Sequence, residues 1–148
     1  MKYRKANLQD TKELARLRWF FQCNNEKYDN SFIRRCNNFI RHGIQSKSWT
    51  IWIAEDKNKI ISHIYIYKVN KLPKPKAKFK YYGYITNVYT KKEYRNKGIG
   101  TMLMRKVKKW AKHEKFEFLV AWRSKDSKTY YEKNGFKTND EIMEKSYE

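Results

Sequence analysis

Tyr94-Arg95-Asn96-Lys97-Gly98-Ile99-Gly100 is the stretch that decides how this chain is read. Two glycines two apart let a backbone pass close to an anion with its N–H groups turned inward. A helix beginning at Gly98 adds the positive end of its dipole to the cations Arg95 and Lys97, which together suit a diphosphate. Gly-x-Gly alone also marks ordinary tight turns, so the flanking segments carry the decision.

Upstream, Tyr81 to Thr90 has the β-branched and aromatic content of a strand. Downstream, Ile99, Met102, Leu103, Val107, Trp110 and Ala111 recur at helical spacing, which predicts a helix over 98–113. Phe116 to Trp122 reads as a further strand. Ser124 to Asn134 reads as a helix that Gly135 ends in a left-handed conformation, and the tail from Phe136 to Tyr147 offers one or two final strands. Towards the N-terminus, Lys2 to Lys5 is strand-like. Asn7 or Asp10 can cap a helix carrying Leu14, Leu17 and Phe21, and Ser31 can cap a second carrying Ile33, Cys36, Ile40 and Ile44 that stops near His42-Gly43. Trp49 to Ala54 and Lys59 to Val69 follow as strands around the turn Glu55-Asp56-Lys57-Asn58, and Lys71 to Phe79 is a proline-broken, exposed basic loop. The order predicts one α+β (mixed α/β) domain over 1–148: a mostly antiparallel twisted sheet of six to seven strands, flanked by about four helices, with parallel pairing only where the 98–113 helix crosses over.

The chain has 148 residues, 17% of them aromatic, enough to bury a core without metals or disulfides. Cys23 and Cys36 lack paired spacing, which indicates neither a disulfide framework nor a zinc site and leaves both as reduced residues packed on helices. No signal-peptide core opens the chain and no long apolar run follows, so a cytoplasmic, soluble protein without a membrane partner is expected. The net charge of +20 favours acidic ligands or partners, or reflects composition alone.

Three segments coincide: the strand Tyr84-Ile85-Thr86-Asn87-Val88-Tyr89-Thr90, the loop Arg95 to Gly100, and Tyr130-Tyr131-Glu132-Lys133-Asn134-Gly135-Phe136 some thirty residues on. Together they closely resemble the GCN5-related N-acetyltransferase (GNAT) family. The resemblance implies that the loop binds the pyrophosphate of acetyl-CoA as co-substrate and that the tyrosine segment closes the thioester side. By the same resemblance, main-chain groups of Val88, Tyr89 and Thr90 hold the pantetheine amides, and Tyr131 is the general acid that protonates the leaving thiolate after direct attack by a primary amine. The residues agree with this chemistry. The backbone of Asn96, Lys97, Gly98, Ile99, Gly100 and Thr101 can donate to a diphosphate, with Arg95, Lys97 and Arg105 as cations, while Lys108, Lys109 and Lys112 read as a solvated helix face. A phenol near pKa ~10 is still protonated at neutral pH and can give its proton to a thiolate whose conjugate acid is near ~8.5. Tyr130 points about 100° away from Tyr131 on a helix and is expected to pack.

The chain departs from the family's pattern at two places. Ser124 and Ser127 stand seven and four residues before Tyr131, where many members carry Asn and Ala; Ser124 can still hydrogen-bond the pantetheine, or simply cap the helix. No carboxylate lies on Tyr81 to Thr90, so the amine's proton must leave by His63, Glu26, Asp29 or water. The acceptor is a small molecule or a protein amine, and monomer and homodimer are both open. Two other readings stand beside transfer: a basic nucleic-acid or ribosome-binding module, and a relative that binds coenzyme A without catalysis.

Overall fold

The apolar runs in the middle of the chain form the sheet. In the computed structural model, which describes residues 1–24 and 27–147, β2 (Trp49–Asp56), β3 (Lys59–Asn70) and β4 (Tyr81–Thr90) make an antiparallel meander. β1 (Lys2–Lys5) joins β2 antiparallel and β5 (Leu119–Ala121) joins β4 parallel, giving the order β1-β2-β3-β4-β5. The β2–β3 hairpin turns on Lys57 and Asn58, at φ 48 and 60. Two successive left-handed residues are what a two-residue loop needs if its twist is to match the strands.

Helices cover both faces. Ile51, Ile53, Ile60 and Tyr65 pack beneath Leu14 and Leu17 of α1 (Thr11–Cys23) and Ile33 and Ile40 of α2 (Asn30–Gln45). On the other face Ile64, Ile66 and Ile85 meet Leu103, Met104 and Val107 of α3 (Ile99–His113) and Tyr131 of α4 (Lys128–Lys133). A fully buried Leu or Ile of this kind contributes about 1.5–3 kcal/mol. At one edge Arg4 grips Asp10 through its two terminal guanidinium nitrogens, at 2.7 and 2.9 Å, and Glu55 at 2.6 Å, tying β1, the start of α1 and β2. Burial alone would raise the Asp10 carboxyl, but Arg4 and the Asn7 N–H hold it below its ordinary value.

The α+β class, the four helices and the single parallel pairing across α3 match the sequence expectation. The strand count does not: the described residues hold five strands, not six to seven, because the tail forms none and leaves Met143 and Tyr147 exposed. That tail mixes isolated apolar residues with Lys, Asp and Glu and has no β-branched run. The helix expected over 124–134 is a 3₁₀ turn, Lys125–Ser127, followed by the short α4. Asp29, not Ser31, caps α2, accepting from the N–H groups of Ser31 and Phe32. α2 also runs through Gly43, where a Cβ would lie 2.6 Å from Trp49 Cδ1, so this glycine serves a close approach and not a stop. Cys36 packs against the core as expected, whereas Cys23 is exposed. Among the described residues no helix is long and apolar enough to cross a membrane.

Candidate functional site

The loop after β4 takes the shape its sequence asks for. A 3₁₀ turn, Lys92–Tyr94, leads into Asn96 at φ 59 and Gly98 at φ 74, and α3 begins at Ile99. Alternating left-handed residues before a helix turn successive N–H groups to one side, and the first N–H groups of the helix lack partners within it. A Cβ built on Gly98 meets nothing within 4 Å, so the space above the loop is open for a ligand. Arg95 and Lys97 are exposed beside it. Arg95 Nε donates to the Thr90 carbonyl at 2.9 Å, and Lys97 Nζ to the Glu93 carbonyl at 3.0 Å, which tethers both cations next to the cradle.

β4 and β5 part company near this loop. Their pairing runs from Gly83↔Leu119 to Ile85↔Ala121, where β5 ends, while β4 continues to Thr90 with β3 on its other side. Val88, Tyr89 and Thr90 therefore lie on an edge with main-chain groups that no strand pairs on the β5 side. A bulge bends β4 here. Tyr65 faces Thr86 and His63 faces Tyr89, so Asn87 and Val88 oppose the single residue Ile64, and Asn87 takes φ 49. The Thr90 hydroxyl is 2.8 Å from that of Ser62, which also donates to the Tyr89 carbonyl at 2.9 Å.

α4 closes the third side. Gly135, at φ 87, ends it with paired bonds, Phe136 N–H to the Tyr131 carbonyl at 3.0 Å and Gly135 N–H to the Glu132 carbonyl at 2.9 Å. This double bond pattern brings the Phe136 ring to 5.3 Å from the Tyr131 ring and fixes its direction. Lys108 Nζ donates to the Asn134 carbonyl at 2.6 Å, so Lys108 holds the end of α4 and is not part of a merely solvated face. Tyr130 packs as expected, and its hydroxyl donates to the Gly100 carbonyl at 2.9 Å. That bond joins the tyrosine segment to the glycine loop. Tyr131 is buried, and burial together with the nearby Tyr84 phenol pushes its pKa up to about 12. Ser124 makes no capping bond; its hydroxyl donates to that of Ser127 at 3.1 Å, on the exposed approach to α4.

Of the side chains named for the amine's proton, Asp29 and His63 are placed. Glu26 lies outside the described residues. Asp29 is committed to capping α2. His63 is fully buried, and burial lowers its pKa to about 4. Sequence reasoning missed three neighbours of the split: Tyr84 beside Tyr131, the bulged Asn87, and Arg18 of α1, whose Nη1 donates to Asn87 Oδ1 at 3.0 Å. Asn inside a β-rich run was the available sign, since it tolerates left-handed backbone far better than a branched residue. Exposed Trp122 packs edge-on at 4.9 Å against Tyr84. Beyond α1, a cleft of about 1150 Å³ reaches Arg95 and is lined by Leu17, Phe21, Tyr28, Tyr89 and Lys91.

The family model described as Acetyltransferase (GNAT) family matches residues 8–136. No curated protein matches the chain. Among solved structures it is similar to a predicted acetyltransferase with acetyl-CoA from Clostridium acetobutylicum, at 28% identity, TM-score 0.79, covering 98% of this chain and 95% of that one. In fold it also resembles glucosamine-6-phosphate N-acetyltransferase from Arabidopsis thaliana (18% identity, TM-score 0.74, 99% and 98% covered). Ribosomal-protein-alanine N-acetyltransferase from Brucella melitensis shares the fold likewise (17%, TM-score 0.72, 99% and 100%).

Proposed function

This chain belongs to the acetyltransferase (GNAT) family, and from that premise we propose that it is an N-acetyltransferase that moves an acetyl group from acetyl-CoA to a primary amine. The observation that carries the reading is the Tyr130–Gly100 bond, which makes one site of an anion cradle and a buried, protonated tyrosine. Acetyl-CoA supplies an activated thioester and a diphosphate that matches the cradle's donors.

The N–H groups from Asn96 to Thr101 and the cations of Arg95 and Lys97 hold the phosphorylated end. The free edge of Val88, Tyr89 and Thr90 receives the amide-bearing arm by strand-like bonds, and the Ser124 hydroxyl adds a polar contact from the α4 side. The amine attacks directly, from the face of β4 opposite α3, where Arg18, Tyr84 and Trp122 lie. Tyr131 keeps its proton at neutral pH and gives it to the departing sulfur. With Asp29 engaged and His63 buried, the amine's proton is left to water or to Glu26. The net charge of +20 favours acceptors that are neutral or carry carboxylates over polyamines.

Thiol release from acetyl-CoA in the presence of primary amines and peptides is the test. Release that depends on the amine is expected. Coenzyme A binding with no release for any acceptor would contradict transfer.

A further inference from the structure

Two side chains that the proposed reaction does not use hold the bulge in β4. The Asn87 carbonyl oxygen lies 2.8 Å from His63 Nδ1, and Asn87 Oδ1 accepts from Arg18 Nη1 at 3.0 Å. Both oxygens of this one residue are thus gripped, from β3 and from α1. A carbonyl can only accept, so the His63 proton sits on Nδ1, and Nε2 is left buried without a partner. The imidazole is wedged between Tyr65 and Tyr89, with ring centroids at 5.3 and 5.5 Å. It has no room to swing away.

A strand residue at φ 49 relaxes towards ordinary β geometry unless something holds it. Relaxation would remove the extra residue from β4, and a one-residue slip turns each following side chain to the opposite face. Thr90 would leave Ser62, and the edge beside the glycine loop would be re-aimed. We propose that His63 and Arg18 are positioning residues that lock Asn87 in its left-handed conformation and thereby aim the main-chain groups of Val88 to Thr90 at the amide-bearing arm of coenzyme A. The lock rests on the reading of that edge as the coenzyme's seat.

Nitrogen NMR of the wild-type imidazole and calorimetry with coenzyme A alone test it together. The proton is expected on Nδ1 near neutral pH. His63→Leu, which deletes the donor, is expected to weaken coenzyme A binding about tenfold, and Arg18→Met severalfold. His63→Asn, whose amide nitrogen replaces the Nδ1 donor, should stay within about threefold of wild type. A proton on Nε2, wild-type affinity in Arg18→Met, or His63→Asn as weak as His63→Leu would each overturn the lock while leaving the coenzyme's seat in place. If His63→Leu does not fold, the tautomer and Arg18→Met still decide. Wild-type protein that takes up no coenzyme A would remove the seat itself, and the lock with it.

Discussion

Tyr131 is held near pKa 12 by burial and by Tyr84, so it loses its proton only as the pH approaches that value. The rate should therefore rise with pH as the amine is freed and should not fall again below about pH 11, which a pH–rate profile checks. Tyr131→Phe should cut kcat by about a hundredfold or more with coenzyme A affinity unchanged, the signature of a lost proton donor. His63 gives a stability prediction of opposite sense. Its folded pKa of about 4 lies below the ordinary 6.5, so the unfolded chain takes up the proton first. The stabilisation is complete above about pH 7.5 and fades as the pH falls towards 4, a loss of about 3 kcal/mol. Across that window the denaturant midpoint of wild type should fall relative to that of His63→Asn as the pH drops. Parallel curves would contradict a buried neutral imidazole.

Among the elements, α3 depends on what lies close in sequence, and so it was legible. The stripe from Ile99 to Ala111 and the glycine before it fix its face and its start within a residue. Gly135 likewise announced the end of α4, because a left-handed turn is a local demand. The bulge at Asn87 was not legible, since its holders sit 24 and 69 residues away. Nor was the tail, whose scattered apolar residues could make a strand only with a sheet edge to pair with. The Tyr130–Gly100 bond, spanning thirty residues, belongs with these. Tyr130→Phe removes a bond to a carbonyl between α4 and the loop. It should cost about 1 kcal/mol in unfolding free energy, read by denaturant titration, and lower kcat far less than Tyr131→Phe.

At the scale of the whole molecule, the +20 charge acts on encounter and not on the chemical step. Raising salt from about 50 to 500 mM should lower kcat/KM for an amine on an acidic peptide severalfold and raise it for a polyamine, because screening weakens attraction and repulsion alike. Steady-state rates with the two acceptors check both signs. The proposed function requires the glycine cradle, the split between β4 and β5, and the α4 tyrosine to serve one bound coenzyme. The most direct measurement of that requirement is a crystal structure with coenzyme A bound. The account predicts the diphosphate on the N–H groups around Gly98 and Gly100, and the sulfur within hydrogen-bond reach of the Tyr131 hydroxyl. A coenzyme whose diphosphate sits elsewhere, or whose sulfur points away from Tyr131, would contradict it.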